Sequence, residues 1–475
     1  MASKVRRPIS EEPIEAIPQP APELKEFLAT EDKSTLIAVL AELAEANEPV
    51  RQRLERLKLR TDPRKLATAF KRILSAWRRS TKFIDLRAGS AFAAELLEWL
   101  DQVERELVML DPARALGLIE GLIECDGPFM ERADDSDGSI GDVLRIACER
   151  WLQTAKQINN SDIDWVERIY SLANADDYGV REALLSQANM LLEEASLRVL
   201  AGRFEGDLYL ALKQGSGQSL APQVFMASGS IHLVSEALGD PDLHVRAVTQ
   251  YSPNPNDLQK AGFAEAYLRH QRPEKALAWL EGNWGNREDS RLRLLAQTQA
   301  ILGHNDDAAD IRRRVFCSSG AVDDFRAWRE LLSSADHETA NQAARDKASA
   351  VSDPIDAARL LLEIGDAAGA ANLLVERYEA IDGRRYYLLL PVAEALEAGQ
   401  LLLGCTACYR ALLLGILSRG YAPAYAHAAR YLKLLRRFAE NVSDFGPLSD
   451  HKEFEIQLSK VHGRKTSFWN HIARN

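Results

Sequence analysis

Twelve residues, Glu131-Arg-Ala-Asp-Asp-Ser-Asp-Gly-Ser-Ile-Gly-Asp142, carry five carboxylates and two glycines in a chain otherwise rich in alanine and leucine. Acids this dense around glycine suggest a cation loop. An EF-hand needs oxygen ligands at loop positions 1, 3 and 5, glycine at 6 and glutamate at 12. With Gly138 at position 6, Asp135 and Asp137 fall at 3 and 5, but Ala133 and Leu144 occupy 1 and 12. Two ligands are therefore missing. Asp134, Asp135 and Asp137 remain the only weak metal candidates, and no metal or cofactor is expected. A structural role accounts for more of the block: Ser139 is placed to cap the following helix, with Asp142 three residues on completing a capping-box-like pair.

Other chemical spacings also fall short. His337-Glu338 begins a zinc-protease pattern, but Asn341 stands where the second histidine is required. Cys405 and Cys408 have redox or zinc spacing without a second pair, inside a helical period, and are expected to be small buried residues. The loop from Lys213 to Gln218, with Gly215 and Gly217, follows no strand and lacks a phosphate-binding lysine, so it is expected to be a connector. No nucleophile, base and acid can be grouped by spacing, and an enzyme is not expected.

Charge is uneven. Residues 51–82 hold twelve lysines and arginines against Glu55 and Asp62, so the rest of the chain is more negative than the total of −11. Arg72, Arg78, Arg79 and Lys82 are the candidate partner-binding cations there. Arg464 and Lys465 form a second candidate, beside a helix that Gly463 would end and an aromatic plug of Phe468 and Trp469.

The elements carrying these residues are helices. Leu36, Val39, Leu40 and Leu43 recur at helical spacing, and Leu66, Phe70, Ile73, Leu74 and Trp77 form one stripe. Asp62-Pro63 and Asp111-Pro112 each supply a cap and a first-turn proline. Later segments repeat a form: a helix, a short polar or glycine turn, then a helix opening with alanine, at Ala276, Ala308, Ala370 and Ala407. The separations are close to one or two periods of a tetratricopeptide-like hairpin. The expected fold is all-α, a right-handed stack of antiparallel helical hairpins of the tetratricopeptide-like, α-solenoid kind. Residues 1–30 are expected to be a disordered proline-rich acidic tail, 31–160 a helical module with basic helices, and 161–475 the repeat region with C-terminal capping helices. Five cysteines imply no disulfide framework, and no apolar run approaches the ~20 residues of a membrane span, so a cytoplasmic protein away from membranes is expected. Nothing in the sequence indicates an oligomeric state.

Phe83-Ile-Asp-Leu-Arg87, the block from Phe129 to Asp142, the Tyr178-Gly179 turn and the closing His-Ala-Ala-Arg-Tyr-Leu and His-Gly-Arg-Lys-Thr-Ser-Phe-Trp motifs together resemble an uncharacterised bacterial all-helical family. That family shares helical segments with proteins bearing SWIM zinc fingers. The resemblance implies an all-α repeat fold and no established activity. The Cys-x-Cys and Cys-x-His pairs of a SWIM finger are missing here. The expected role is a non-catalytic interaction scaffold for a protein or peptide partner. The alternative is a nucleic-acid-associated accessory protein, in which residues 51–82 contact phosphates while Trp77 and Phe83 pack or stack.

Overall fold

The computed structural model describes residues 22–160, 162–214 and 220–473, and these are helical apart from connecting turns and an isolated parallel bridge between Ile84 and Ala133. They form two compact units that divide between Tyr251 and Ser252. In the first, α1 (Pro22–Thr30), α2 (Lys33–Ala46) and α3 (Glu48–Leu57) lead into α4 (Pro63–Arg79), α5 (Leu86–Val103) and α6 (Pro112–Ile123). A short α7 (Asp126–Met130) precedes α8 (Ser139–Lys156) and α9 (Trp165–Asn174). After α10 (Ala183–Ser186), the long α11 (Glu194–Gln214) and α12 (Pro222–Leu238) pack side by side and α13 (Pro241–Tyr251) completes the unit.

Local chemistry sets where these helices begin. The carboxylates of Asp62 and Asp111 accept from the amides of Lys65 and Arg114 at 3.3 and 3.0 Å, while Pro63 and Pro112 occupy first-turn positions whose N–H would have no helical partner. The stripe expected on α4 does enter the core: Phe70 meets Trp99 edge-on at 6.0 Å, and Trp77 meets both Phe92 and Trp99 at the same distance.

Three expectations need correction. The acidic N-terminal segment lies outside the described residues up to residue 21, but its last nine residues form α1. The stripe on α2 does not become core: Val39, Leu40 and Leu43 are exposed and no α2 residue is buried. A division after residue 160 would also cut a continuous core, because Trp151 of α8 packs against Trp165 of α9 at 5.9 Å and buried side chains run on to Ala247.

The second unit contains α14 (Asp257–Arg269), α15 (Pro273–Trp279), α16 (Glu288–Ile301), α17 (Asn305–Ser319), α18 (Val322–Arg329) and α19 (His337–Ala350). It continues through α20 (Pro354–Glu363), α21 (Ala367–Glu376), α22 (Tyr386–Ala398), α23 (Leu402–Arg419), α24 (Tyr425–Ala439), α25 (His451–His462) and α26 (Thr466–Ala473). Four of its hairpins close by one device. Gln271, Gly303, Gly365 and Gln400 are left-handed, with φ of +56, +83, +82 and +56°. The amide after each donates to the carbonyl five residues back: Arg272 to Tyr267, His304 to Gln299, Asp366 to Leu361 and Leu401 to Leu396, at 2.8–3.0 Å. Five residues beyond each left-handed position lies a fully buried small side chain: Ala276, Ala308, Ala370 and Cys405. The fourth equivalent is thus Cys405 rather than Ala407, a shift the sequence hid because cysteine replaces alanine as the small packing residue.

Among the described residues α23 alone is long and apolar enough to cross a bilayer, and 67% of it is buried within its unit. At the C-terminus Phe468 is fully buried against Tyr425 and Trp469, as the plug requires. Gly463 does follow α25, but in a right-handed conformation (φ −58°) rather than as a left-handed cap.

Candidate functional site

The acidic block is consumed by backbone. Its entrance is pinned when the Ile84 amide donates to the Arg132 carbonyl and the Asp134 amide to the Ile84 carbonyl, both at 2.9 Å. Gly138 (φ +78°) then turns the chain, so Ser139 is the first residue of α8 rather than its cap. Capping falls to earlier residues. Asp135 accepts from the amides of Ile140 and Gly141 at 2.8 and 3.0 Å. Asp137 accepts from the Ser139 amide at 3.1 Å and the Ser90 hydroxyl at 3.1 Å, and the Ser139 amide holds its carboxyl below the usual range. Asp134 bonds Ser136, and Asp142 pairs with Arg145 rather than completing a capping box. The three metal candidates face different partners. Among the described residues no three His, Cys, Asp or Glu side chains converge as a cation would require. Asp135→Ala is expected to lower stability by about 1–2 kcal/mol through loss of the cap, and Asp134→Ala by less than about 0.5 kcal/mol. Urea unfolding of both variants, with and without calcium, checks this; an equal cost, or a midpoint raised by calcium, contradicts it.

A more demanding arrangement lies nearby. Asp176 gathers four successive amides, those of Tyr178, Gly179, Val180 and Arg181, at 2.8–3.2 Å. That turn aims the Arg181 side chain into the protein, where it meets Asp126 in a buried two-bond pair of 2.8 and 2.7 Å. The Tyr178-Gly179 turn was the one legible sign of it.

The outer side of this turn forms one wall of a cleft of about 500 Å³, completed by α10, α11 and α12. Leu210, Phe225 and Met226 line it while each remains more than half exposed. Asp176, Glu182 and Asp207 supply its charge, and Asp207 is held by the Tyr170 hydroxyl at 3.0 Å. Arg181 also lines it, but its charge is neutralised by Asp126. The cleft has a mixed lining, its apolar side chains standing beside Asn174, Gln214, Gln223 and an acidic margin. The neighbouring connector expected between Lys213 and Gln218 falls largely outside the described residues.

The basic segment does not form one surface. Arg56 turns inward, bonding Glu106 at 3.1 Å over the face of Phe70. Of the four candidate cations, Arg72 and Lys82 are exposed and Arg79 folds back onto the Ser75 carbonyl at 3.0 Å. Only Arg78 enters a cleft, between α4 and α6, where it is joined by Arg64 and Lys71, which counting charges did not single out. Of the two aromatics expected to pack or stack beside these cations, Phe83 is 62% exposed and Trp77 packs against Phe92 and Trp99.

At the C-terminus Arg464 is exposed, while the Lys465 ammonium lies 3.3 Å from the Tyr425 hydroxyl. The two side chains therefore have different surroundings. Cys405 and Cys408 are buried free thiols, with the Cys405 thiol donating to the Ala393 carbonyl at 3.8 Å, and burial pushes the Cys405 thiol up to about 12 and Cys408 higher still. Neither is a thiolate at neutral pH. His337 opens α19, and the adjoining Glu338 pairs with Arg345 at 2.9 Å.

A family of unknown function, DUF6880, matches residues 26–471. The chain belongs to this family. The DUF6880 match spans both units, from within α1 to within α26, so the acidic block, the Asp176 turn and both clefts lie inside it. A solved structure described as a circular tandem repeat protein with novel repeat topology and enhanced subunit contact surfaces is similar at 16% identity. It covers 93% of this chain and 96% of its own, with a TM-score of 0.13. No curated protein matches the DUF6880 chain.

Proposed function

We propose that this DUF6880 protein is a non-catalytic, cytoplasmic scaffold of tetratricopeptide-like helical hairpins that docks a protein or peptide segment in the cleft of α10, α11 and α12. The observation supporting this is the convergence of Leu210, Phe225 and Met226, each more than half exposed, on one concave site. Large apolar side chains grouped in a cleft are costly to leave in water and are the usual anchors of a binding surface. Asp176, Glu182 and Asp207 select for charge, so the favoured occupant presents an apolar anchor flanked by lysine or arginine.

A fluorescein-labelled amphipathic peptide with leucines one helical turn apart and flanking lysines tests the reading by anisotropy. The native chain is expected to bind it, and the combined Phe225→Ser and Met226→Ser variant to bind about tenfold more weakly, a loss of about 1.4 kcal/mol. Thermal unfolding should be unchanged, because neither side chain is core. Absence of binding, or equal binding by the variant, overturns the proposal.

A further inference from the structure

We infer that the cleft between α4 and α6 is a second docking site, for an acidic helical segment of a partner protein. This does not rest on the reading of the α10–α12 cleft. Arg64, Lys71 and Arg78 stand seven residues apart along α4, one face of the helix, and all three line the same cleft of about 500 Å³. Their spacing along the helix axis is about 10 Å. None forms an ion pair among the described residues, whereas the neighbouring Lys65 and Arg114 are engaged by Asp62 and Asp111 at 3.4 and 2.8 Å. The row is therefore a line of cations without ion-pair partners in a depression whose lining includes a single carboxylate, Glu124, a setting in which arginine recognises carboxylates through paired hydrogen bonds.

The opposite wall explains why the depression exists. Gly117 and Gly121 lie one turn apart on α6 and face it; a Cβ added at Gly117 would meet nothing within 4 Å, and one at Gly121 would meet only Leu74. Missing side chains leave space for a second helix to approach α4, whose heptad-spaced cations would match acids at the same interval on that helix. Nucleic acid fits less well. No aromatic side chain lines the cleft to receive a base, and Glu124 stands within it. A strand carrying a charge at every nucleotide must face that carboxylate, whereas a peptide can set a neutral or basic residue there.

The test uses the full chain and a labelled, alanine-based helical peptide with glutamate at every seventh position, at low salt. The native protein is expected to bind it, and the Lys71→Glu, Arg78→Glu variant to bind at least about thirtyfold more weakly. An equal charge change on another part of α4, Arg72→Glu with Arg79→Glu, should cost no more than about threefold. Gly117→Leu, which adds bulk to the cleft without removing charge, should weaken binding about tenfold or more and leave thermal unfolding unlowered. A lysine version of the peptide should bind the Lys71→Glu, Arg78→Glu variant. Absence of acidic-peptide binding, an equal loss in the Arg72→Glu, Arg79→Glu control, or unaltered binding by Gly117→Leu overturns the inference. So does tighter binding of single-stranded or duplex DNA through the same residues.

Discussion

Arg181→Ala is expected to destabilise the first unit by about 3–5 kcal/mol, the cost of leaving a buried charge without its partner. The side chains of Arg181 and Asp126 are only 5 and 6% exposed, so water cannot replace what is removed. All three guanidinium nitrogens are used: Nε and Nη2 donate to the Asp126 carboxylate, and Nη1 donates to the Leu172 carbonyl at 3.0 Å. The residue thus joins α7 to the last turn of α9 and to the segment entering α10. In its absence Asp126 keeps the amide of Gly127 at 2.8 Å, which satisfies one lone pair of a carboxylate in an apolar surround. Replacing both partners with apolar residues of similar size, Arg181→Met with Asp126→Leu, is expected to recover most of the loss, because neither charge then has to be desolvated. Urea unfolding of the two single variants and the double variant measures this as a cycle. A single-variant cost below about 1 kcal/mol would place the pair among ordinary surface bridges and contradict the burial argument. Since Arg181, Asp176 and Gly179 form a wall of the α10–α12 cleft, peptide binding should fall with stability in the single variants.

What was legible in the sequence was local. Asp62-Pro63 and Asp111-Pro112 declare helix starts because cap and proline act within one turn, and the hairpin turns repeat because their hydrogen bonds close over five residues. The acidic block was legible in role but not in detail. A reading that assigns the cap to the nearest hydroxyl selects Ser139; the left-handed Gly138 moves the helix start so that Asp135 reaches forward instead. Asp135 and Asp137 thus both have a structural use that needs no cation. The basic segment misled for another reason: a count of charge ignores helix face. Arg56 faces inward, Arg79 folds back on its own helix, and only the residues spaced by seven share the α4–α6 cleft. Asp126 and Arg181 are 55 residues apart, and nothing local marks either as the other's partner. The α10–α12 cleft is assembled from residues spread over 173–233, each ordinary for a helix surface, so only their convergence is informative.

Gly383→Ala is expected to cost the second unit about 3 kcal/mol, because there is no room for a methyl group and the obstacle is backbone. A Cβ at Gly383 would lie 1.8 Å from the carbonyl oxygen of Ala411 and 2.4 Å from its carbon. The contact is mutual: a Cβ at Gly415 would lie 2.6 Å from the carbonyl carbon of Gly383. The turn before α22 therefore rests directly on α23, a largely buried helix that cannot retreat without opening its own core. The turn must lift instead, and it is tied down. Asp382 holds the amide of Arg384 at 3.0 Å, and Arg385 reaches across to Asp356 on α20 at 3.1 Å. Displacement strains both connections. Gly202→Ala on α11 provides the control, since a Cβ there meets nothing within 4 Å and removal of a helical glycine should gain about 0.5–1 kcal/mol. Guanidinium unfolding of the full chain checks the comparison; a Gly383→Ala loss below about 0.5 kcal/mol would show that the turn yields freely. Gly415→Ala approaches the same contact from the helix and should cost a similar amount. Combined, the two should cost less than their sum, because one displacement of the turn relieves both clashes.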